Sequence, residues 1–173
     1  MHNETTLLRN GIKISVFRVN PAGKDEPVDL PPDQQDYHFD LGERFRFTFQ
    51  NQSGKELYVT LFDIGPDGSI AILYPEKGQQ VSIRGGQVVI FPARAAQGEE
   101  SQAKVLETCG LPGYESFKVI ATTEPTGPND FAFLEQTGVV RARSTEMGKI
   151  ADWTTSQLNF VLSDKLKAGA IKE

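Results

Sequence analysis

Alternation of apolar and polar side chains in the middle of the chain is the sequence feature that most constrains the fold. Phe45, Phe47 and Phe49 fall on one side of an extended segment, while the side chains between them, including Arg46, are expected to face water. The following segment, Leu57–Ile64, is largely apolar on both sides, which predicts a strand in the middle of a sheet. Extended segments that recur about every 10 to 14 residues, each with its own turn, predict an antiparallel meander in this part of the chain.

A turn with well-defined chemistry follows the central segment. Pro66 presets the backbone angle of the first central turn position, Asp67 suits the second, and Gly68 accepts the left-handed conformation that comes next. The turn therefore predicts that Leu57–Ile64 pairs antiparallel with a strand over 69–74.

The same alternation predicts strands elsewhere in the chain. They are expected over 12–17, 80–83, 87–91, 103–106, 115–122 and 157–163. Short helices are predicted over 130–137 and 144–151, the first between an Asn or Asp cap and Gly138. The expected fold is mainly β: an antiparallel β-sandwich of about seven to nine strands with one or two short helices near 130–151.

The domain boundaries follow from where these patterns begin and end. A single β-sandwich domain is predicted over 10–163, preceded by a linker end over 1–9 and followed by a flexible tail over 164–173. Inside the domain, residues 20–36 are rich in proline and aspartate and hold few apolar side chains. They are predicted as a surface connection.

Charge and cysteine content limit the kinds of partner that the protein can bind and the cell compartment in which it is expected. With 18 Lys and Arg against 23 Asp and Glu, the formal net charge is −5, without the basic excess of a protein that binds phosphate backbones. No apolar stretch approaches the roughly 18 to 20 residues of a membrane helix, and Met1 to Asn10 lacks the apolar centre of a secretory signal. A lone cysteine cannot form an internal disulfide. The sequence predicts a cytoplasmic protein with neither nucleic acid nor membrane as partner, and leaves the oligomeric state open.

Cys109 and His38 are the pair of residues that could form a cysteine hydrolase dyad, because a thiolate needs an adjacent base. The residues around Cys109, Glu-Thr-Cys-Gly-Leu, differ from the Gln-Ala-Cys-x-Gly of caspase-type nucleophiles. His38 also precedes the cysteine by more than the roughly 50 residues seen in caspases. A structural cysteine is therefore favoured, and no catalytic residue is predicted.

Metal binding is the next chemistry to consider. Asp63, Asp67 and Ser69 resemble part of a calcium loop, but the residues between them do not supply oxygen ligands at alternate positions, so a hairpin turn is favoured. The two histidines and the cysteine are too scattered for the close ligand spacing of a zinc site. The sequence predicts neither a metal nor a cofactor.

Aromatic and basic side chains could also form a binding surface. Tyr58, Tyr74 and Trp153 could stack on sugar rings, although core burial is favoured because both tyrosines lie inside predicted strands. Arg141 and Arg143 could hold an acidic partner, but a solvated face is the ordinary explanation of such a pair.

Three short motifs carry a resemblance to a known family. They are Leu57-Tyr58-Val59, Pro66-Asp67-Gly68-Ser69-Ile70 and Leu73-Tyr74-Pro75, in which Tyr74 replaces the family's usual Phe. With further matching segments over 39–45, 113–122 and 153–155, the chain resembles an uncharacterised bacterial β domain from about residue 10 to residue 163. That domain is often found C-terminal to caspase-like, metacaspase-type peptidases and sometimes beside kinases or other signalling modules.

These motifs consist of turn and core residues, so the resemblance implies a fold and transfers no catalytic residue to this chain. It implies a non-catalytic interaction or regulatory module, the C-terminal accessory domain of a bacterial caspase-like protease or signalling protein. The expected partner is another protein or the peptidase domain of its own parent chain, bound through loops at the ends of the sandwich or through a sheet edge. A carbohydrate-binding module is the alternative, and a cysteine hydrolase is the less favoured one.

Overall fold

A computed structural model describes residues 8, 10–75, 80, 82–93, 104–126 and 152–164. Within these ranges the chain forms strands and no helix. The strands are β1 (Ile12–Val19), β2 (Asp25–Pro27), β3 (Tyr37–Asp40), β4 (Arg44–Asn51), β5 (Leu57–Ile64), β6 (Ile70–Tyr74), β7 (Ser82–Ile83), β8 (Val88–Phe91), β9 (Leu106–Glu107), β10 (Gly113–Thr122) and β11 (Trp153–Ser163).

The described part of the chain thus holds eleven strands, more than the seven to nine predicted. Among the additional strands are β2 and β3, which are three and four residues long. Segments this short contain too few positions for an alternating pattern to be recognised. The strand β2 also lies inside residues 20–36, where the sequence indicated a surface connection.

Two sheets are formed. In the first, the order is β2-β1-β4-β8, and β9 pairs with β4 beside β8. In the second, the order is β3-β11-β10-β5-β6, and β7 also pairs with β5. The pairings are antiparallel except for the parallel pair β3 and β11. The predicted mainly β class is confirmed, in a sandwich-like arrangement of two sheets.

The predicted meander is wrong, because β4 and β5 follow one another in sequence but lie in different sheets. Buried Asn51 holds the crossing between them: its Nδ2 donates to the carbonyl oxygens of Lys55 and Ile83, each at 2.7 Å. Its Oδ1 accepts from the amide of Ser53 at 2.9 Å. A polar turn of this composition suits a hairpin and a crossing equally, so alternation alone could not distinguish them.

The core lies between the two sheets. Phe45, Phe47 and Phe49 of β4 point into it, as predicted, and are fully buried. Across the interface, the ring centroid of Phe47 is 4.9 Å from that of Phe117, and Phe45 is 5.4 Å from Phe160. Aromatic pairs at these separations add stabilisation beyond that of buried area. Leu8, just before the predicted domain start, is also buried in this core.

The central position predicted for β5 is confirmed, since β10 lies on one side of it and β6 and β7 on the other. Its inner side chains, including Val59 and Leu61, belong to the main core. On its outer face Phe62 is buried with Ile120 in a second, smaller apolar cluster. Both faces of β5 therefore bury apolar side chains, which is what its sequence indicated.

Arg46 does not face water as predicted. It lies on the outer face of the first sheet, where its Nη1 is 2.5 Å from Asp25 Oδ1 and its Nη2 donates to the Lys104 carbonyl at 3.3 Å. The side chains of Arg46 and Asp25 are only 3% and 6% exposed. Arg46 is thus a polar position of β4 that is buried, whereas the other polar positions of its outer face, Arg44, Thr48 and Gln50, are only half-buried.

Several predictions concern residues outside the described ranges. These are the short helices within 130–151, Arg141 and Arg143, most of the linker end over 1–9, and most of the tail over 164–173. Among the described residues, the structure contains no helix with the length and apolar character needed to cross a bilayer.

Candidate functional site at one end of the sandwich

Three connections converge at the same end of the two sheets, which we call the loop end. They are the turn over 41–43, the turn over 65–69 and the connection over 108–112. The strand register brings them together: Gly113, the first residue of β10, lies opposite Leu162, and Asp40, the last of β3, lies opposite Ser163. Loops at one end of a rigid scaffold are where binding residues are most often placed.

The turn over 65–69 is built as its sequence predicted. Gly65 N–H donates to the Ser69 carbonyl at 2.9 Å, and Gly68 has the left-handed φ of 79°. Ser69 N–H donates to Asp67 Oδ1 at 2.9 Å, and the hydrogen bonds from Ser69 lower the pKa of the Asp67 carboxyl. Asp67 therefore stabilises the turn. No group of three or more His, Cys, Asp or Glu side chains that could hold a metal occurs in the described ranges.

Thr108 fixes the third connection to the turn over 41–43. Its Oγ1 donates to the Asp40 carbonyl at 2.6 Å, and its amide donates to the Glu43 carbonyl at 2.9 Å. Gly42 N–H donates back to the Thr108 carbonyl at 2.9 Å. These bonds tie β9 of the first sheet to the end of β3 in the second.

Arg18 of β1 also lies at the loop end, where it contacts residues of the second sheet and of the turn over 41–43. Its guanidinium lies 4.8 Å from the ring centroid of Phe39, and its Nε is 3.2 Å from Glu43 Oε1. The Arg18 Nη2 donates to the His38 carbonyl at 3.0 Å. A cation over an aromatic face, held by a carboxylate, links the sheets by electrostatic attraction.

Beyond Thr108 the connection presents large apolar side chains to solvent. Leu111 is 63% exposed and Tyr114 is 65% exposed, and together with Val88 they are the exposed large hydrophobic residues of the described chain. Gly113 has φ of 147°, and a Cβ added there would lie 3.1 Å from Pro66 Cβ. The two exposed side chains thus stand on a segment packed against the turn over 65–69. We call Leu111, Tyr114 and the residues between them the Leu111–Tyr114 surface.

Asp63 and Glu115 form a pair of carboxyl groups beneath this surface. Glu115 is buried, at 9% exposure, and its carboxyl shares a hydrogen bond with that of Asp63. Burial and the adjacent Asp63 charge raise the pKa of Glu115 to about 8, and burial also raises the pKa of Asp63. Two carboxyl groups in one site cannot both ionise easily, so this pair holds a proton at neutral pH.

Cys109 and His38, the disfavoured candidates for a cysteine hydrolase dyad, are not hydrogen-bonded to each other in the described part of the chain. Cys109 is a free, exposed cysteine in the connection over 108–112, and the His38 side chain is exposed on β3. Both lie near the loop end, but no hydrogen bond or ion pair between them occurs in the described part of the chain.

The three candidate aromatic residues lie in two different places. Tyr74 points into the core, with its ring centroid 5.1 Å from Phe91 and 5.7 Å from Phe49, and burial raises the pKa of its phenol. Tyr58 and Trp153 lie on the outer face of the second sheet, on either side of Thr122 and away from the loop end. Tyr74 is half-buried and packs against the core, and the three residues do not form a single platform.

Sequence reasoning did not identify Leu111, Tyr114, Asp63 or Glu115 as a group. Leu111 lies in a Gly-Leu-Pro-Gly turn, where an apolar residue is a signal of an exposed contact. Asp63 and Glu115 occupy inward positions in strands whose other inward side chains are mostly apolar, and a charged residue at such a position is a signal of a buried polar site. Both signals were present in the sequence, although neither shows that the residues meet.

The geometry describes a two-sheet β domain whose exposed apolar and buried acidic residues are concentrated at one end. Residues 38–125, just over half of the chain, match the family described as a domain of unknown function, DUF4384. The protein belongs to this family. No curated protein matches the sequence.

Distant similarity to solved structures was also found. The alkylpurine DNA glycosylase AlkC of Pseudomonas fluorescens, solved bound to DNA containing an abasic site analogue, is 15% identical, with a TM-score of 0.36 and coverage of 88% of this chain and 30% of that one. A β-glucosidase from Listeria innocua is 10% identical, with a TM-score of 0.29 and coverage of 88% and 16%. The chain therefore spans less than a third of either solved protein.

Proposed function

We propose that this domain is a non-catalytic interaction module that binds a protein partner, or the enzyme domain of its own parent chain, through the Leu111–Tyr114 surface. The observation that carries the proposal is the exposure of Leu111 and Tyr114, at 63% and 65%, on one short segment of the loop end. Burying exposed apolar side chains on association is favourable, and tyrosine is common among the residues that dominate binding energy.

The rigidity of the segment supports this role. Thr108 anchors its beginning to the turn over 41–43, and Gly113 packs against Pro66 at its end. A preformed surface loses less conformational entropy when a partner binds, so more of the contact energy contributes to affinity. Leu111 and Tyr114 are therefore placed to act as anchors.

The parent protein and its compartment are part of the proposal. The resemblance of the three motifs supports a cytoplasmic bacterial protein in which this domain lies C-terminal to a caspase-like peptidase or another signalling module. In that arrangement the Leu111–Tyr114 surface would contact the peptidase domain or a partner that regulates it. Cys109→Ser should then leave the peptidase reaction itself unaffected, because the proposal gives Cys109 no catalytic role.

The test measures binding of the domain to the purified enzyme domain encoded in the same reading frame. Leu111→Asp combined with Tyr114→Asp should weaken binding by more than about tenfold. Each change removes apolar area that the complex would bury and places a charge where the partner would exclude water. Val88→Asp is the matched control, because Val88 is 52% exposed but lies on β8 of the first sheet. Equal loss of binding in both variants, or in neither, would contradict the proposal.

A carbohydrate-binding role is a second candidate, favoured by the placement of Tyr58 and Trp153. Both are half-buried and lie on the same outer face, where aromatic rings can stack on sugars. Trp153→Ala should abolish glycan binding while Leu111→Asp combined with Tyr114→Asp leaves it unchanged. Glycan-array signals therefore distinguish the two candidates.

A further inference from the structure

We propose that Asp63 and Glu115 form a proton-binding pair that links pH to the conformation of the loop end. The pair stands on its own geometry, whereas its effect on partner binding rests on the proposed function. It would act by holding β5 and β10 together, beneath the Leu111–Tyr114 surface, when it carries a proton.

The strand register places both carboxyl groups on the same face of neighbouring strands. Asp63 of β5 lies directly opposite Phe117 of β10, and Glu115 is two residues before Phe117, so its side chain points the same way. Both side chains point toward the core, because Phe117, on the same face, is buried in it. Diagonal neighbours on paired strands are within reach of long side chains.

The environment of the pair does not satisfy two negative charges. Asp63 Oδ1 and Glu115 Oε2 are both buried and have no hydrogen-bond partner. The two carboxyl groups are hydrogen-bonded to each other. This hydrogen bond needs a proton on one of them. A buried charge without a partner is costly, so the protonated pair is the favoured state in the closed fold.

Among the residues that the structure describes, the strands and the turn packed around the pair supply no counter-ion. The turn over 65–69 contributes another acid, Asp67. On β11 the residue opposite Glu115 is Phe160, and on β6 the residue opposite Asp63 is Ala71. Tyr37 of β3, next to Phe160, is a neutral phenol whose pKa is raised by burial.

The arginines of β1 and β4 at this end are already engaged, and Arg44 Nη2 donates to the Asn20 carbonyl at 2.9 Å. The Arg18 guanidinium is paired with Glu43 and with the His38 carbonyl. It therefore remains with the turn over 41–43 and does not neutralise the acidic pair. A proton is the cation that the described residues leave for Asp63 and Glu115.

The pair is placed to influence the exposed surface above it. Glu115 directly follows Tyr114, and Asp63 lies two residues before Gly65, the start of the turn that packs against Gly113 through Pro66. When both carboxyls ionise, their repulsion separates the ends of β5 and β10. That separation would loosen the contact between Gly113 and Pro66 and so change the Leu111–Tyr114 surface.

Carboxyl ¹³C NMR titration of the full chain tests the pair without any partner. One carboxyl of the pair should titrate near pH 8. Glu124, an exposed glutamate beyond the other end of β10, is the control position. In Glu115→Gln the high titration should disappear, and in the control Glu124→Gln it should remain. Titration of both Asp63 and Glu115 below about pH 5.5 would overturn the proposal.

Hydrogen exchange then tests the conformational link. After correction for intrinsic rates, amides over 65–69 and 113–116 should exchange about tenfold faster at pH 9 than at pH 7, because ionisation opens this end. Neither Glu115→Gln nor the second variant, Asp63→Asn, should show this acceleration. Equal acceleration in wild type and both variants would overturn the link. A carboxyl that titrates near pH 8, together with partner binding that Leu111→Asp does not weaken, would reject the proposed function and leave the proton-binding pair standing.

Discussion

Two buried pairs of ionisable side chains, one in each sheet, show opposite solutions to the same problem. In the first sheet Arg46 is paired with Asp25, and in the second Glu115 is paired with Asp63. Each pair places polar atoms where contact with water is restricted. The first contains a positive and a negative charge, and the second contains two acids.

The difference lies in what each pair needs in order to be neutral. Arg46 and Asp25 compensate one another, and Arg46 gains the Lys104 carbonyl as a further acceptor. This arrangement needs no added proton, because a guanidinium and a carboxylate carry opposite charges. Asp63 and Glu115 reach neutrality only by binding protons. The molecule therefore combines a pair of opposite charges with a pair of like charges.

The largest expected effect comes from breaking the first pair on one side. Asp25→Ala leaves Arg46 buried and without its carboxylate, which should lower the free energy of unfolding by about 3 to 5 kcal/mol at pH 7. Urea denaturation measures this change. Glu26→Ala is the control, because Glu26 is the exposed neighbour whose Oε1 accepts from Asn20 Nδ2 at 2.7 Å. A loss below about 1 kcal/mol for Asp25→Ala would show that the pair is not effectively buried.

Removing an acid from the second pair should raise the free energy of unfolding, whereas breaking the first pair lowers it. The folded-state pKa of Glu115 is raised to about 8 from an ordinary 4.5, so its contribution to stability is complete below pH 4.5 and is lost as the pH rises toward 8. Glu115→Gln should therefore raise the free energy of unfolding by about 1 to 2 kcal/mol at pH 8.5, less than the full shift because Asp63 partly reaches solvent.

The same variant should have almost no effect at pH 4, where the wild-type glutamate is already protonated in both the folded and the unfolded chain. Denaturation curves at pH 4, 6 and 8.5 measure this difference, with Glu124→Gln as the control for removing an exposed carboxylate. A stability loss at pH 8.5 would contradict the account of Glu115 as an uncompensated acid.

The fold was predictable where side chains alternate over many residues. The alternation of β4 and the two apolar faces of β5 gave their orientation and position, and Pro66 to Gly68 gave the turn that follows. Assignment of strands to sheets was not predictable in this way. The crossing after Asn51 depends on hydrogen bonds to distant Ile83, which local pattern does not encode.

The two buried pairs show the same limit. Arg46 occupies a polar position of β4, and its contacts with Asp25 of β2 and with the Lys104 carbonyl before β9 join residues far apart in the sequence. Asp63 and Glu115 interrupt the inward pattern of their strands, but only the register of β5 and β10 shows that they meet. Local sequence indicates which positions are unusual, and pairing over long sequence distances decides their chemistry.

A hydrophobic replacement of the whole first pair should have a small effect. Arg46→Met combined with Asp25→Leu removes both charges and fills much of the same volume, so the free energy of unfolding should stay within about 1 kcal/mol of wild type. The comparison with Asp25→Ala separates the cost of an unpaired charge from the value of the pair. A loss as large as that of the single variant would mean that the pair provides a specific contact that apolar packing cannot replace. Urea denaturation of all three chains at pH 7 measures this.

The smallest effect is expected at an exposed pair, which shows what burial adds to both buried ones. Lys55 Nζ lies 3.2 Å from Asp152 Oδ2, with the two side chains 48% and 31% exposed. Solvent screens such pairs, so Lys55→Ala should lower the free energy of unfolding by no more than about 0.5 kcal/mol. The difference in the free energy of unfolding between Lys55→Ala and wild type should vanish at about 1 M salt, where the screening length is near 3 Å. The loss in Asp25→Ala should persist at that salt concentration. Equal salt sensitivity of the two variants would show that Arg46 and Asp25 are as accessible to ions as the surface pair.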